Sequence, residues 1–166
     1  NIGVLPQELS LSRGTIRENL SIGSRDFMDE ALLEALEFAG LGDFVRQNAR
    51  GLDLEIVDGG EGLSVGQRQS LGLARLYLQN PNIVLLDEPT AALDQALEKK
   101  VVSRLGEWLQ GKTCVIATHR MPILSIVDQI AVMKNGQVVM QGPRDEVLQR
   151  LRATPAAQSA QGQVDE

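Results

Sequence analysis

The chain has 166 residues and a net charge of −6, with 43% hydrophobic and 23% charged residues. That length suits one globular domain with its own core, or a large part of a bigger one, and the composition excludes wholesale disorder. The acidic balance argues against a broad nucleic-acid footprint, and the few aromatics (Phe27, Phe38, Phe44, Tyr77 and Trp108) cannot make a base-stacking platform.

In chain order, Ile2 to Gln7 reads as a short strand ended by Pro6. It begins like the middle of a strand, without Met or a signal-peptide pattern, as in a fragment or a processed chain. Leu9 to Arg13 is turn-like. Thr15 with Glu18 three residues later is a capping-box pattern that opens a short helix to Leu20. Met28 to Ala39 carries apolar residues at helical spacing and is stopped by Gly40, with a further turn or two of helix over Leu41 to Gln47. A glycine-rich loop, Asp58-Gly59-Gly60-Glu61-Gly62, precedes a helix from about Ser64 to Leu78.

The second half changes character. Asn82 to Asp87 is a continuous apolar run between Pro81 and Pro89, the pattern of a strand buried on both faces of a parallel sheet. A helix over Leu93 to Leu109 follows, then a second buried strand over Thr113 to Thr118. Cys114 lies in that strand and reads as a small core residue; one cysteine excludes a disulfide within the chain and fits a reducing compartment. Pro122 to Val127 is a short helix. Ile130 to Lys134 and Gln137 to Gln141 form a hairpin around Asn135-Gly136, and Arg144 to Leu151 is the last helix. Thr154 to Glu166 reads as a frayed tail. The alternation of strand and helix makes the class α/β. No apolar run is long enough to span a bilayer.

Four features carry chemistry. Ile83-Val84-Leu85-Leu86 places Asp87 at the C-terminal end of a strand, where open α/β sheets put their ligands; a carboxylate there can hold Mg²⁺. Glu88 follows at once and can orient or deprotonate an attacking water, although two solvated acids ending a buried strand would look the same. Leu63-Ser64-Val65-Gly66-Gln67 opens a helix whose free N–H groups can meet a phosphate, although an ordinary Ser-capped helix has the same pattern. His119, the one histidine, follows the second buried strand, where it can donate to a γ-phosphate oxygen or simply cap a loop. Gln7 ends the first strand, and its amide oxygen can join a metal shell.

Together these features resemble the ABC ATPase family. Pro6-Gln7 resembles its Q-loop, Leu63 to Gln67 its signature motif (usually LSGGQ), Ile83 to Glu88 its Walker B strand with the catalytic glutamate, Ala91-Ala92-Leu93-Asp94 its D-loop, and His119 its switch histidine. The motifs come in the family's order, and the resemblance runs from Ile2 to about Leu151. It implies a partial ABC ATPase fold: a strand into the Q-loop over 1–7, a helical subdomain with the signature over 8–80, a RecA-like parallel-sheet portion over 81–151, and a flexible tail over 152–166.

It also implies ATP and Mg²⁺ as cofactors, held in a head-to-tail dimer of nucleotide-binding domains, most simply a homodimer. Asp87 and Gln7 would serve the metal, Glu88 the water and His119 the γ-phosphate. Ser64, Val65, Gly66 and Gln67 would serve the partner's nucleotide, and Asp94 would tie the two sites together. The segment after Gln7 would meet a transmembrane domain at the cytoplasmic face of a bacterial inner membrane.

The stretch from Gly14-Thr15-Ile16-Arg17 to Leu20 and the Met133 to Gly142 hairpin are similar to the exporter branch. The Gly62-Leu63-Ser64-Val65-Gly66-Gln67 variant is similar to type I secretion ATPases, which work through a periplasmic adaptor and an outer-membrane channel. The sequence departs from the family in three ways. No phosphate loop G-x-x-x-x-G-K-[ST] occurs in these residues. In the family that loop precedes the Q-loop, so it is expected before Asn1, and the 166 residues alone are expected to be inactive. The strands that accompany it are also expected there, leaving apolar strand edges at Ile2 to Leu5 and Ile83 to Leu86. Val65 stands where the signature usually has Gly, and Glu61 stands near an exporter Gly-Glu-x-Gly pattern with the alignment open by one residue. Two other readings are a non-transport ABC ATPase of DNA repair or translation, which the acidic charge and short helical segment oppose, and a non-enzymatic half-domain, which the presence of both Glu88 and His119 opposes.

Overall fold

The computed structural model describes residues 1–22 and 27–153. The expected frayed tail from Thr154 lies outside them. The described residues divide into two compact units, one ending at Ile123 and the other beginning at Leu124.

The first unit is built on a three-stranded parallel sheet, β1 (Ile2–Leu5), β4 (Ile83–Asp87) and β5 (Thr113–Ala117), in the order β1-β4-β5. Between β1 and β4 the chain forms α1 (Ile16–Leu20), α2 (Asp29–Phe38), α3 (Gly42–Gln47) and α4 (Val65–Gln79), with 3₁₀ turns at Gly51–Asp53 and Asp58–Gly60. A two-residue ladder, β2 (Gly14–Thr15) against β3 (Glu55–Ile56), closes this segment; strands so short leave no periodicity to read. α5 (Gln95–Trp108) joins β4 to β5. This is the α/β class expected from the sequence.

Local signals set the helix starts. Thr15 and Glu18 form the capping box of α1, and Ser64 and Gln67 form that of α4. Asp94 caps α5 by accepting from the Leu97 N–H. α4 lies on β1 at close range. A Cβ on Gly3 would fall 2.4 Å from both Leu76 and Pro81, and one on Gly72 would fall 2.5 Å from Leu5. Leu5, Val84 and Leu86 of the sheet are buried, as are Leu71, Leu73 and Leu76 of α4 and Val101, Val102 and Leu105 of α5. Phe38, Tyr77 and Trp108 tie α2, α4 and α5 together, with ring centroids 4.4 Å apart for Phe38–Tyr77 and 5.6 Å for Phe38–Trp108. Asn19, buried in α1, fills all its hydrogen bonds: it accepts from the Ser12 N–H and Arg75, and donates to the carbonyls of Ser12 and Thr15.

Burial of β4 on both faces does not hold. Val84 and Leu86 are buried, but Ile83 and Leu85 are 39% and 37% exposed, and Val115 of β5 is 59% exposed. In register, Val4, Leu85 and Val115 form one row across the sheet, and Ile2 and Ile83 lie in another. One face therefore packs on helices while the other presents aliphatic side chains. An apolar run reports the hydrophobicity of both faces, not which face has a partner within these residues.

The second unit holds the hairpin β6 (Gln129–Lys134) and β7 (Gln137–Pro143) with α6 (Arg144–Ala153). Asn135 and Gly136 take positive φ, 51° and 75°, as a two-residue hairpin turn of this handedness requires. Acidic residues open α6 and arginines end it, both in the favourable sense for its dipole.

The tight α4–β1 contact generates a test. Gly3→Val in the intact polypeptide forces a branched side chain onto Leu76 and the rigid Pro81 ring. The expected loss is about 1–3 kcal/mol, read as a lower urea midpoint at unchanged m-value.

Candidate active site

The three parallel strands end together, so the residues that follow them share one edge of the sheet. Leu5 pairs with Leu86 and Asp87 with Ala117. Gln7 therefore leaves the end of β1 beside Asp87 and Glu88, and Thr118 and His119 leave the end of β5 on the other side.

Glu88 is the centre of this edge. Its side chain is 14% exposed. One carboxylate oxygen accepts from the Thr118 hydroxyl at 2.9 Å; the other accepts from the His119 N–H at 2.9 Å and meets His119 Nδ1 at 2.5 Å. Burial alone would raise its pKa, but the His119 ring, the Thr118 hydroxyl and the His119 N–H outweigh burial and hold the carboxyl below the usual glutamate range. The main chain is fixed as well. Glu88 has φ 46°, in the left-handed region, and its N–H donates to the Ala117 carbonyl at 2.8 Å.

Asp87 is exposed, and no hydrogen bond or ion pair of its carboxylate occurs among the described residues. No cluster of three or more metal-ligating acids, His or Cys occurs among the described residues either. One open carboxylate at a strand end, with Gln7 two residues past the end of the neighbouring strand, suits Mg²⁺, which takes one or two protein oxygens and fills its remaining positions with water and phosphate oxygens. The donor set thus fits that ion.

The remaining expected residues lie on α4 and α5. Ser64 and Gln67 are joined in the capping box: Ser64 Oγ accepts from the Gln67 N–H at 3.1 Å, and Gln67 Oε1 accepts from the Ser64 N–H at 2.8 Å. The capping pattern and the phosphate-site pattern coincide in the same residues. Val65 is 62% exposed with its side chain in solvent. The N–H groups of Val65 and Gly66 lie in the first turn, where a helix supplies no acceptor. Gly66 faces the turn over Ala91–Asp94: a Cβ there would lie 2.6 Å from the Ala92 carbonyl oxygen. Asp94 is exposed at the start of α5. The fold thus gathers Gln7, Asp87, Glu88 and His119 at the sheet edge, and brings Gly66 against the turn that follows Glu88. Cys114 takes no part; it is half-buried rather than a core residue, and burial pushes its thiol up to about 11, which leaves it inert.

Three polar residues around this edge were not anticipated. Gln69 Nε2 donates to the Glu88 carbonyl at 2.7 Å, and its Oε1 accepts from the Ala92 N–H at 3.0 Å. Glu98, 2% exposed, accepts from the Thr90 hydroxyl at 2.7 Å and from Arg120 through Nε at 2.7 Å and Nη2 at 2.6 Å. Arg120 also donates to the Ala91 carbonyl. Arg120 lowers the pKa of Glu98 more than burial raises it. A folded-state pKa below the ordinary 4.5 contributes stability at higher pH and loses it as the carboxyl protonates in acid. Glu98→Gln is therefore expected to destabilise by about 1–3 kcal/mol at neutral pH. It is also expected to flatten the loss of stability below about pH 4.5, measured as urea midpoint against pH.

Residues 1–91 match the family model described as ABC transporter. The glutathione/L-cysteine transport system ATP-binding/permease protein CydC of Escherichia coli is 40% identical over 149 residues, which is 90% of this chain and 26% of that protein. The leukotoxin translocation ATP-binding protein LktB of a Pasteurella haemolytica-like species is 35% identical over 89% of this chain and 21% of its own length. A solved bacterial Atm1-family ABC exporter with ATP bound superposes with a TM-score of 0.87 at 30% identity, covering 96% of this chain and 28% of that one. The chain spans about a quarter of the length of these relatives. With more than half of its residues matched by that model, the chain belongs to the ABC transporter family.

Proposed function

We propose that these residues form the signature and catalytic-glutamate part of an ATP-binding and hydrolysing domain that powers an ABC exporter. The observation that carries this reading is Glu88, an ionised carboxylate at the C-terminal end of a parallel sheet, oriented by Thr118 and His119. A carboxylate has about four lone-pair sites, so three donors leave room for a water to be oriented and to give up its proton.

Because ionised Glu88 only accepts, Nδ1 of His119 carries the proton of their contact. For His119 to donate to a γ-phosphate oxygen as well, either the ring is protonated on both nitrogens or the Glu88 contact opens when ATP enters. A bound Mg²⁺ would neutralise charge on the phosphates, with Asp87 and Gln7 as its protein ligands.

The signature residues Ser64, Val65, Gly66 and Gln67 would serve the nucleotide of a second copy in a head-to-tail dimer, and Asp94 would lie at the contact between the two sites. The division into 1–7, 8–80 and 81–151 belongs to the same proposal. So do the transmembrane-domain partner beyond Gln7 and a location at the cytoplasmic face of the inner membrane. Among the described residues, no helix is long and apolar enough to cross a membrane.

The finer reading is protein export by type I secretion, with its periplasmic adaptor and outer-membrane channel. The signature variant and the likeness to LktB support it. The higher identity to CydC favours a second reading, export of a small thiol. Inside-out vesicles carrying the intact transporter separate the two: ATP-driven uptake of labelled glutathione or cysteine supports the second.

Hydrolysis tests the core of the proposal. In the intact transporter, Glu88→Gln is expected to lower ATP turnover by about 10²–10⁴-fold while ATP still binds. Unchanged turnover would overturn the reading.

A further inference from the structure

Gln69 reaches out of its own helix. It lies in the second turn of α4, 9% exposed, and its carboxamide bonds the main chain of another element at two points, the Glu88 carbonyl at 2.7 Å and the Ala92 N–H at 3.0 Å. Those atoms bracket the turn that carries Glu88 away from β4. The turn holds a non-glycine residue at positive φ, a conformation that persists only where its surroundings fix it. The Glu88 N–H is fixed by Ala117 and its carboxylate by Thr118 and His119, while the Ala91 N–H reaches its carbonyl at a longer 3.2 Å. Gln69 supplies the shorter bond to that carbonyl.

The same helix is capped five residues earlier by Ser64, and its first turn touches the same loop, with Gly66 so near the Ala92 carbonyl that no Cβ could fit between them. Helix and turn therefore meet at two places that share Ala92. A shift of the first turn of α4 toward the sheet edge would press on Ala92, and a shift of the helix would stretch the Gln69 bonds to Ala92 and the Glu88 carbonyl.

We infer that Gln69 is a positioning residue that sets the Glu88 carboxylate according to the seat of the signature helix. In this way, nucleotide engaged by Ser64–Gln67 is felt in the catalytic turn of the same chain. The inference rests on the proposed reading of Glu88 and of the signature as parts of two ATP sites.

The test uses the intact transporter with two variants. Gln69→Met keeps the reach and removes both bonds; Gln69→Glu keeps an acceptor for the Ala92 N–H and loses the donor to Glu88. Both are expected to lower kcat by about 10–100-fold, as a misplaced catalytic group does, with KM for ATP and ATP binding little changed. Wild-type kcat per ATP-binding site in either variant overturns the inference, even where its melting temperature falls, because that is a purely structural role. So does a raised KM at unchanged kcat. Should Gln69→Met fail to fold, Gln69→Glu decides. Glu88→Gln, assayed alongside, separates the two failures: turnover surviving in Glu88→Gln sinks the reading of Glu88, whereas a dead Glu88→Gln beside an active Gln69→Met sinks the inference alone.

Discussion

The first turn of α4 lies backbone to backbone against the turn after β4, and the site depends on that approach. Gly66 makes it possible, because any side chain there would meet the Ala92 carbonyl. Gly3 and Gly72 extend the same logic along the helix, letting α4 sit close on β1. A helix held this near a sheet edge points its unpaired N–H groups in a fixed direction relative to the strand ends. That geometry is a property of the scaffold and is set before any ligand arrives.

Behind that edge lies a polar network in which few groups are left over. Glu88 is kept ionised by Thr118 and His119 against the pull of burial, and Glu98 holds Thr90 and Arg120 on either side of it in the chain. Thr90 is two residues after Glu88, and Arg120 is the neighbour of His119, so Glu98 braces both flanks of the Glu88–His119 pair from α5. In low-dielectric surroundings such a network rigidifies when complete and is costly when one member is lost. Glu98 and Gln69 approach the same turn from different helices, one through Thr90 and the other through the Glu88 carbonyl.

The parts of this arrangement that were legible in the sequence are local. The capping box of α1, the Ser64 cap of α4, the Asn135-Gly136 turn and the strand that delivers Asp87 and Glu88 each need only a few consecutive residues. Gln69, Glu98 and Asn19 escaped because at least one partner of each is distant in the chain: 19 and 23 residues away for Gln69, 22 for Glu98, and 56 for Asn19. A signal was present for two of them. Gln69 precedes Gly72, Leu73 and Leu76 at helical spacing, and Glu98 stands in the same relation to Val101, Val102 and Leu105. A polar residue on an otherwise apolar stripe must find a partner inside. The burial of β4 is illegible for the opposite reason: Ile83 and Leu85 are as apolar as their buried neighbours, and composition cannot say which face is covered.

Val65 separates what the fold demands of the signature turn from what a ligand would demand. Of the two central positions that are usually glycine in this motif, only 66 is sterically obliged to be glycine here. Val65 has an ordinary helical backbone, with its φ outside the positive region, and its side chain stands in solvent. Valine has a lower helix propensity than alanine, by a few tenths of a kcal/mol, yet it is more favourable in a helix than glycine. At position 65 it therefore costs the folded chain nothing relative to the usual residue. The N–H that a phosphate would use belongs to the backbone and survives the substitution. What valine changes is the surface beside that N–H, which gains a branched apolar group at the mouth of the helix. Any effect of the departure is thus confined to how closely a second molecule can approach.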